Sequence, residues 1–85
     1  MNNTVKVRFI KGTKTLDKDY TFHLPRGLRG HMAKKNYTGI VRDNKGKLVP
    51  VVITGLYREN IEDTGKKYQS IYALTGMKFR GTIKW

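Results

Sequence analysis

Apolar and polar residues alternate in short segments along most of the sequence, and residues typical of turns separate these segments. Val5, Val7 and Phe9 alternate with Lys6 and Arg8, and such a period of two places every second side chain on one face of a β-strand. No helical pattern of three turns or more competes with it. The sequence predicts an all-β fold: one domain over residues 1–85, formed by a small antiparallel barrel or curved sheet of about six strands, of OB-like or SH3-like size.

The predicted strands follow one another through short connections. We place them at about 5–9, 16–24, 37–42, 47–57, 68–75 and 77–85. Pro50 indicates an edge position or a bulge in the fourth strand, because proline cannot donate to a ladder. Between the second and third strands, Leu28 and Met32 lie four residues apart, which predicts a short helical turn within 28–35.

A threonine–glycine pair followed by an apolar residue occurs three times, at Thr38-Gly39, Thr54-Gly55 and Thr75-Gly76. The spacings between the pairs are unequal, which excludes a repeat architecture. Glycine within or between strands favours the bulges and bends that curve a small sheet. We therefore expect the three pairs to mark such irregularities.

The sequence is strongly basic. Lys and Arg number 18 against 6 Asp and Glu, which gives a formal net charge of +12. The two signs are segregated, because residues 20–42 and 64–85 carry no acid and three of the acids lie between 59 and 63. This charge excludes the inhibitors that mimic DNA with carboxylates, and it favours a polyanionic partner.

No segment has the pattern of a membrane span or of a secretion signal. The longest apolar run, 48–53, is interrupted by a proline and is far shorter than the roughly 18 residues of a spanning helix. Met1–Thr4 lacks the charged and then apolar order of a signal peptide. We therefore expect a cytoplasmic protein without a membrane partner.

Side chains for catalysis or metal binding are few. The sequence has no cysteine and one serine, Ser70, which lacks the glycines of a nucleophile elbow around it. The two histidines, His23 and His31, lie eight residues apart without a third strong metal ligand. We expect a binding protein without a metal or cofactor rather than an enzyme.

Basic residues in two regions are the candidate contacts to nucleic acid. Alternate bases project from one face of a strand, and if the first and last strands are neighbours, their bases form one patch. The loop 26–36 is also basic, and its Gly27 and Gly30 allow close approach to phosphate. The candidates are Lys6, Arg8, Arg26, Arg29, Lys34, Lys35, Lys78, Arg80 and Lys84. Lysine on a strand face also protects sheet edges from aggregation, and this alternative stays open.

Aromatic residues accompany these basic side chains. Proteins that bind single strands combine basic grooves with exposed aromatic rings on which bases stack. The candidates for stacking are Tyr37, Tyr68 and Tyr72. Tyrosines at the margin of the core are the alternative. By contrast, Phe9, Phe22 and Phe79 follow the apolar parity of their strands and are expected in the core.

The opening of the sequence resembles that of small uncharacterised bacteriophage proteins. The resemblance rests on Val5–Gly12 followed by Asp19–Phe22, a strand–turn–strand pattern. It implies a small all-β accessory protein without an enzymatic role, located in the host cytoplasm if the protein is viral.

Three functions stay open at this point. The leading hypothesis is non-enzymatic binding of DNA or RNA, with low sequence specificity because contacts to the phosphate backbone carry no sequence information directly. The alternative is a phage-type inhibitor or accessory protein whose basic surface binds an acidic surface of a host protein or ribonucleoprotein. A structural component of a virion is the third.

Overall fold

The computed structural model describes residues 3–25, 27, 33–58 and 68–82. These residues form six strands and no helix: β1 Thr4–Lys11, β2 Lys14–Thr15, β3 Tyr20–His23, β4 Tyr37–Arg42, β5 Leu48–Tyr57 and β6 Ala73–Lys78. The strands pair antiparallel in the order β2-β1-β5-β4-β6, and β3 also pairs with β1. The predicted all-β sheet of about six strands is confirmed. Within the described ranges, no helix long and apolar enough to cross a membrane is present.

An isolated bridge connects β3, on one side of the curved sheet, to the segment that leads into β6 on the other side. His23, the last residue of β3, forms a parallel bridge with Ser70. Its N–H donates to the Gln69 carbonyl at 2.8 Å, and its carbonyl accepts from the Ile71 N–H at 3.0 Å. The chain then enters β6, which pairs with β4 at the other edge. We call the face of the sheet that carries the core the enclosed face.

The enclosed face carries the apolar residues that the period of two predicted. Val5 and Val7 of β1 are fully buried, and so are Val51 and Ile53 of β5. The rest of the core cluster is Phe22, Leu24, Val41 and Ile71, with Phe9 packed against it. The expectation for two of the three phenylalanines is therefore confirmed, whereas Phe79 is only partly buried and lies outside this cluster.

The predicted break between strands at 68–75 and 77–85 is wrong, because β6 runs through it; residues 83–85 lie outside the described residues. Gly76 has a φ of 73°, a left-handed conformation that glycine adopts without strain, and it lies inside the strand rather than in a turn. Residues 68–72 and 79–82 belong to no strand and form only isolated bridges. Alternation does not distinguish a strand from an extended segment that connects strands.

The second strand is also shorter than predicted. Only β3 forms within 16–24, and the two-residue β2 precedes it. Because β2 pairs with the end of β1 and β3 pairs with its beginning, residues 16–19 connect them as a loop.

The helical turn predicted within 28–35 is not a helix in its described part, residues 33–35. Residues 28–32 lie outside the described residues. From residue 33 the chain forms a β-turn instead, in which the Tyr37 N–H donates to the Lys34 carbonyl at 3.1 Å.

Each threonine–glycine pair lies at a bulge, as predicted. In the β1–β5 pairing the register shifts after Lys6, which leaves Thr54 without a partner residue. The Thr54 hydroxyl donates to the Lys6 carbonyl at 3.2 Å and so bonds within the bulge. In the β4–β6 pairing a second shift places residues 75–77 against Thr38 alone.

Pro50 lies at a local edge of β5, in agreement with the prediction. The β1–β5 pairing ends at Val51, so Pro50 pairs with β4 only, opposite Ile40. The Ile40 carbonyl accepts from the Tyr72 N–H at 2.9 Å, on the side away from β5. The missing N–H of proline therefore removes no bond from the sheet.

Residues 79–82 cross the outer face of the sheet, opposite the core. At one end the Phe79 N–H donates to the Asn36 carbonyl at 2.7 Å. At the other end Thr82 makes two backbone hydrogen bonds, of 2.8 and 3.0 Å, with β2 and the turn before it. Because Asn36 precedes β4, this crossing segment passes over β5 and β1. Val52, on the outer face of β5, is accordingly fully buried.

Candidate nucleic-acid interface

The pairing of β4 with β6 brings together bases from distant parts of the sequence. Tyr37 at the start of β4 lies opposite Lys78 at the end of β6. The turn before β4 carries Lys34 and Lys35, and the crossing segment carries Arg80. All four bases are exposed. Candidates from the basic loop and from the C-terminal strand therefore lie at the same end of β4.

A shallow groove of about 400 Å³ follows this surface. Thr38 and residues 77–80 line it, and we refer to these residues with Lys34 and Lys35 as the β4–β6 groove. Met77 is 66% exposed and gives the groove an apolar surface beside its charges. No Asp or Glu is among the described residues that line it.

Threonine hydroxyls fix the backbone at the floor of the groove. The hydroxyls of Thr38 and Thr75 are hydrogen bonded to each other. Thr38 also donates to the Met77 carbonyl at 2.9 Å, and the Met77 N–H donates to the Thr75 hydroxyl at 3.2 Å. These bonds stabilise the bulge in β6 and thereby set the direction in which the following bases project.

Asn36 connects the basic turn to the rest of the interface. Its N–H donates to the Ile53 carbonyl at 2.7 Å, and its carbonyl accepts from the Phe79 N–H at 2.7 Å. Its φ is 73°, a left-handed conformation that asparagine adopts more readily than most residues. The turn is therefore attached both to β5 and to the crossing segment.

The predicted stacking residues lie in three different environments. Tyr37 is partly buried next to the groove, with Lys34 Nζ 5.8 Å from its ring centroid. Tyr72 is 54% exposed, and the Arg42 guanidinium lies 5.2 Å from its ring centroid, at the other end of β4. Tyr68 is partly buried. Of the three, only Tyr37 lies beside the basic side chains of the groove.

Arg8 does not project from an exposed basic face, so this prediction is wrong. The residue is only 7% exposed, and its Nε donates to Asp19 Oδ1 at 2.8 Å. It shares the outer face of β1 with Lys6, as its parity requires, but that face is covered at Arg8. Lys6 itself is exposed.

The first and last strands are not neighbours, because β5 and β4 lie between β1 and β6. The patch that would have joined Lys6 with Lys78 is therefore divided. Arg26, Arg29 and Lys84, the remaining predicted contacts, lie outside the described residues.

Two of the three carboxylates in the described part of the chain are engaged elsewhere. The hydrogen bond from Arg8 holds the pKa of Asp19 below its ordinary value of 3.8, although burial acts in the opposite direction. A hydrogen bond from Thr54 and the charge of Lys6 lower the pKa of Asp19 further. Asp43 accepts the N–H groups of residues 45 and 47 at 2.9 Å each, in the turn between β4 and β5.

Sequence reasoning missed a second concave surface, near the other end of β4. Phe9, Tyr20 and Phe22 line it together with polar residues. The alternation of residues placed the two phenylalanines correctly on the inner face. It could not show where that face opens to solvent, because this depends on how the sheet edges meet. No group of three His, Asp or Glu side chains that could hold a metal occurs in the described ranges.

The chain belongs to a protein family of unknown function, DUF5839, which matches residues 2–76. The match contains β1 to β5 and most of β6, and it ends before Lys78 and Arg80. No curated protein and no solved structure matches the chain.

Proposed function

We propose that this protein binds nucleic acid, without catalysing a reaction, through phosphate contacts made by the β4–β6 groove. One observation carries this proposal: the exposed Lys78 and Arg80 line the groove, the exposed Lys34 and Lys35 lie in the turn just before Tyr37, which pairs with Lys78, and no carboxylate is among the described residues that line the groove. Bases that only kept the surface soluble would not need to converge in this way.

The chemistry of these side chains matches a phosphate backbone. Arginine donates two parallel hydrogen bonds to phosphate oxygens, and lysine acts as a compact positive charge. Neutralising phosphates releases condensed counterions, which supplies much of the affinity. Such contacts do not identify bases, so the groove is expected to bind many sequences similarly.

Tyr37 and Met77 add surfaces that phosphate contacts alone do not need. The Tyr37 ring lies beside the lysines of the groove, where a base could stack on it. The exposed Met77 side chain offers an apolar contact to a sugar or a base. These neighbours favour a strand with accessible bases over a fully paired duplex.

The test compares two double charge reversals by fluorescence anisotropy of labelled oligonucleotides at low salt. Lys78→Glu/Arg80→Glu reverses two charges of the groove. Lys45→Glu/Lys47→Glu reverses two equally exposed charges in the turn between β4 and β5 and lowers the net charge by the same amount. We expect the groove variant to lose affinity by roughly tenfold or more, since attraction to phosphate becomes repulsion. The control variant should bind much as the wild type does.

Two results would contradict the proposal. Equal losses in both variants would show that the total charge, and not the groove, attracts the ligand. Absence of binding by the folded wild-type protein at low salt would exclude nucleic acid as the partner and favour an acidic protein surface. Unfolding midpoints of both variants establish that any loss of binding is not a loss of fold.

A further inference from the structure

A second concave site lies near the end of β4 opposite the groove. It has a volume of about 340 Å³, within the range of roughly 300–1,000 Å³ that is typical of small-molecule sites. Its lining residues are Phe9, Tyr20, Phe22, Arg42, Asp43, Asn44 and Gln69. We refer to these seven residues as the aromatic hollow.

The aromatic part of the hollow is only partly covered. Phe9 and Tyr20 pack edge to face, with ring centroids 5.0 Å apart and an angle of 80° between the rings. Phe22 is buried beneath the surface, whereas Tyr20 is 38% exposed. Lys18 Nζ lies 5.3 Å from the Tyr20 ring centroid. Flat apolar surfaces of this kind bind planar rings.

The rim of the hollow carries donors and acceptors of hydrogen bonds. The amides of Asn44 and Gln69 supply both, and the Arg42 guanidinium supplies donors. Arg42 Nη1 donates to the Gly46 carbonyl at 3.2 Å, and Asp43 fixes the same turn through its bonds to two N–H groups. The turn that carries Asn44 therefore has a defined position at the rim.

From this combination we infer that the aromatic hollow binds a single unstacked nucleobase. A nucleobase is planar, so it can lie against the aromatic rings, and its edge carries the donors and acceptors that amides and arginine recognise. An aliphatic ligand would not use the rim, and an inorganic phosphate would not use the rings. The inference rests on the proposed function, because the base would belong to the strand whose phosphates lie in the β4–β6 groove.

The distance between the two sites agrees with this arrangement. They lie at opposite ends of β4, a strand of six residues, which corresponds to roughly 17 Å. A single strand of several nucleotides covers such a distance, and binding sites of about 4–16 nucleotides are typical of small β-domains that bind single strands. The groove would attract the backbone, and the hollow would select an accessible base.

The test uses neutral nucleosides, so that the groove plays no part in the result. Adenosine, guanosine, cytidine and uridine are titrated into the isotopically labelled wild-type protein, and amide shifts are followed by NMR; ribose alone is the control ligand. We expect at least one nucleoside to shift resonances of Phe9, Tyr20, Asn44 and Gln69, and ribose to shift none. Absence of such shifts with all four nucleosides, or equal shifts with ribose, would overturn the inference.

Matched tyrosine variants then locate the binding. Tyr20→Leu removes a ring of the hollow, and Tyr57→Leu removes a partly buried ring at the far end of β5, opposite Thr4. Tyr20→Leu should weaken nucleoside binding by roughly 5- to 100-fold, the range expected when one stacking partner is lost. Tyr57→Leu, at a residue assigned to neither site, should leave it unchanged. Equal effects of the two substitutions would contradict the assignment.

Failure of this inference is distinguishable from failure of the proposed function. The groove variant Lys78→Glu/Arg80→Glu should lose affinity for oligonucleotides and still show the nucleoside shifts. If the wild-type protein binds oligonucleotides but no nucleoside, the proposed function of the groove stands and the inference about the hollow fails. If the wild-type protein binds nucleosides but no oligonucleotide, the hollow binds nucleobases and the proposed function of the groove fails.

Discussion

The Arg8 guanidinium is the least exposed charged side chain among the described residues, and its partner Asp19 is considerably more accessible. The side-chain exposures are 8% for Arg8 and 37% for Asp19. The loss of Asp19 and the loss of Arg8 therefore have different effects on stability. Without Asp19, a buried cation loses its carboxylate, whereas without Arg8 the carboxylate can be hydrated in place.

This asymmetry predicts that Asp19→Asn is more destabilising than Arg8→Met. We expect Asp19→Asn to lower the free energy of unfolding by about 1–3 kcal/mol, since a neutral acceptor then replaces the carboxylate beside a buried charged donor. Arg8→Met keeps most of the apolar contact of the side chain and should cost less. Urea denaturation measures both, with the exposed Asp17→Asn as the control. A larger loss in Arg8→Met would contradict this account of the pair.

The same ion pair predicts a dependence of stability on pH. The pKa of Asp19 is lower in the folded protein than its ordinary value of 3.8 because Arg8 stabilises the ionised form. Its contribution to stability is therefore complete above that value and is lost as the pH falls through the lower folded pKa. Unfolding midpoints measured between neutral pH and about pH 2 should fall less steeply in Asp19→Asn than in the wild type. Parallel curves would show that Asp19 contributes nothing to the acid response.

Arg8 also shows that the period of two predicts the face on which a residue lies but not its exposure to solvent. The alternation assigned Arg8 correctly to the face opposite Val5 and Val7. Its burial accompanies an ion pair with Asp19, which lies 11 positions away in the loop between β2 and β3. No local pattern contains that information, so a base predicted for the surface became part of the interior.

At the scale of elements, the threonine–glycine pairs were predictable and the C-terminal strands were not. Glycine at a strand position indicates a bulge because of its own backbone freedom, which is a local property. Whether Thr75-Gly76 ends a strand or bends it depends on the partner, and β4 supplies hydrogen bonds on both sides of the pair. The extended segment 79–82 looks like a strand in sequence because it also alternates.

The close approach of the crossing segment to the first hairpin predicts a strong effect of Gly81→Ala. A methyl group at Gly81 would lie 2.1 Å from the Thr13 carbonyl oxygen, so the backbone must move. We expect a loss of about 1–3 kcal/mol in the free energy of unfolding, as for other overpacked sites. The Thr82 amide, which bonds to the Thr13 carbonyl at 2.8 Å, should exchange its hydrogen faster.

Gly27→Ala is the matched control for this substitution. A methyl group at Gly27 meets no atom of the described residues within 4 Å, so the change in stability should stay within about 0.5 kcal/mol. If Gly81→Ala is equally well tolerated, and the Thr82 amide keeps its protection, the crossing segment does not pack against the hairpin as described.

At the scale of the whole molecule, the composition gives the net charge of +12 but not the positions of the charged side chains in the fold. Lys34 and Lys78 lie more than 40 positions apart in the sequence and come together only because β6 pairs with β4. The local sequence around each residue predicts a contact to nucleic acid, but not that the two residues are close. Their meeting is a property of the strand order, which the turn signals do not determine.

This arrangement predicts how binding responds to salt. If the four bases of the groove each neutralise one phosphate of a single strand, the logarithm of the binding constant should fall with the logarithm of salt concentration with a slope of about −3. Reversing Lys78 and Arg80 removes two of these contacts, and the slope should become shallower by about 1.4. Anisotropy titrations over a series of salt concentrations measure this slope for each variant.

The Lys45→Glu/Lys47→Glu variant separates a located contact from general attraction, because it lowers the net charge equally without changing the groove. Counterion release counts the phosphates that are neutralised, not the total charge of the protein. The control should therefore keep the wild-type slope even if its affinity decreases slightly at every salt concentration. An equal flattening in both double variants would mean that the basic surface binds as a whole, and that the convergence of bases at β4 and β6 does not locate the phosphate contacts.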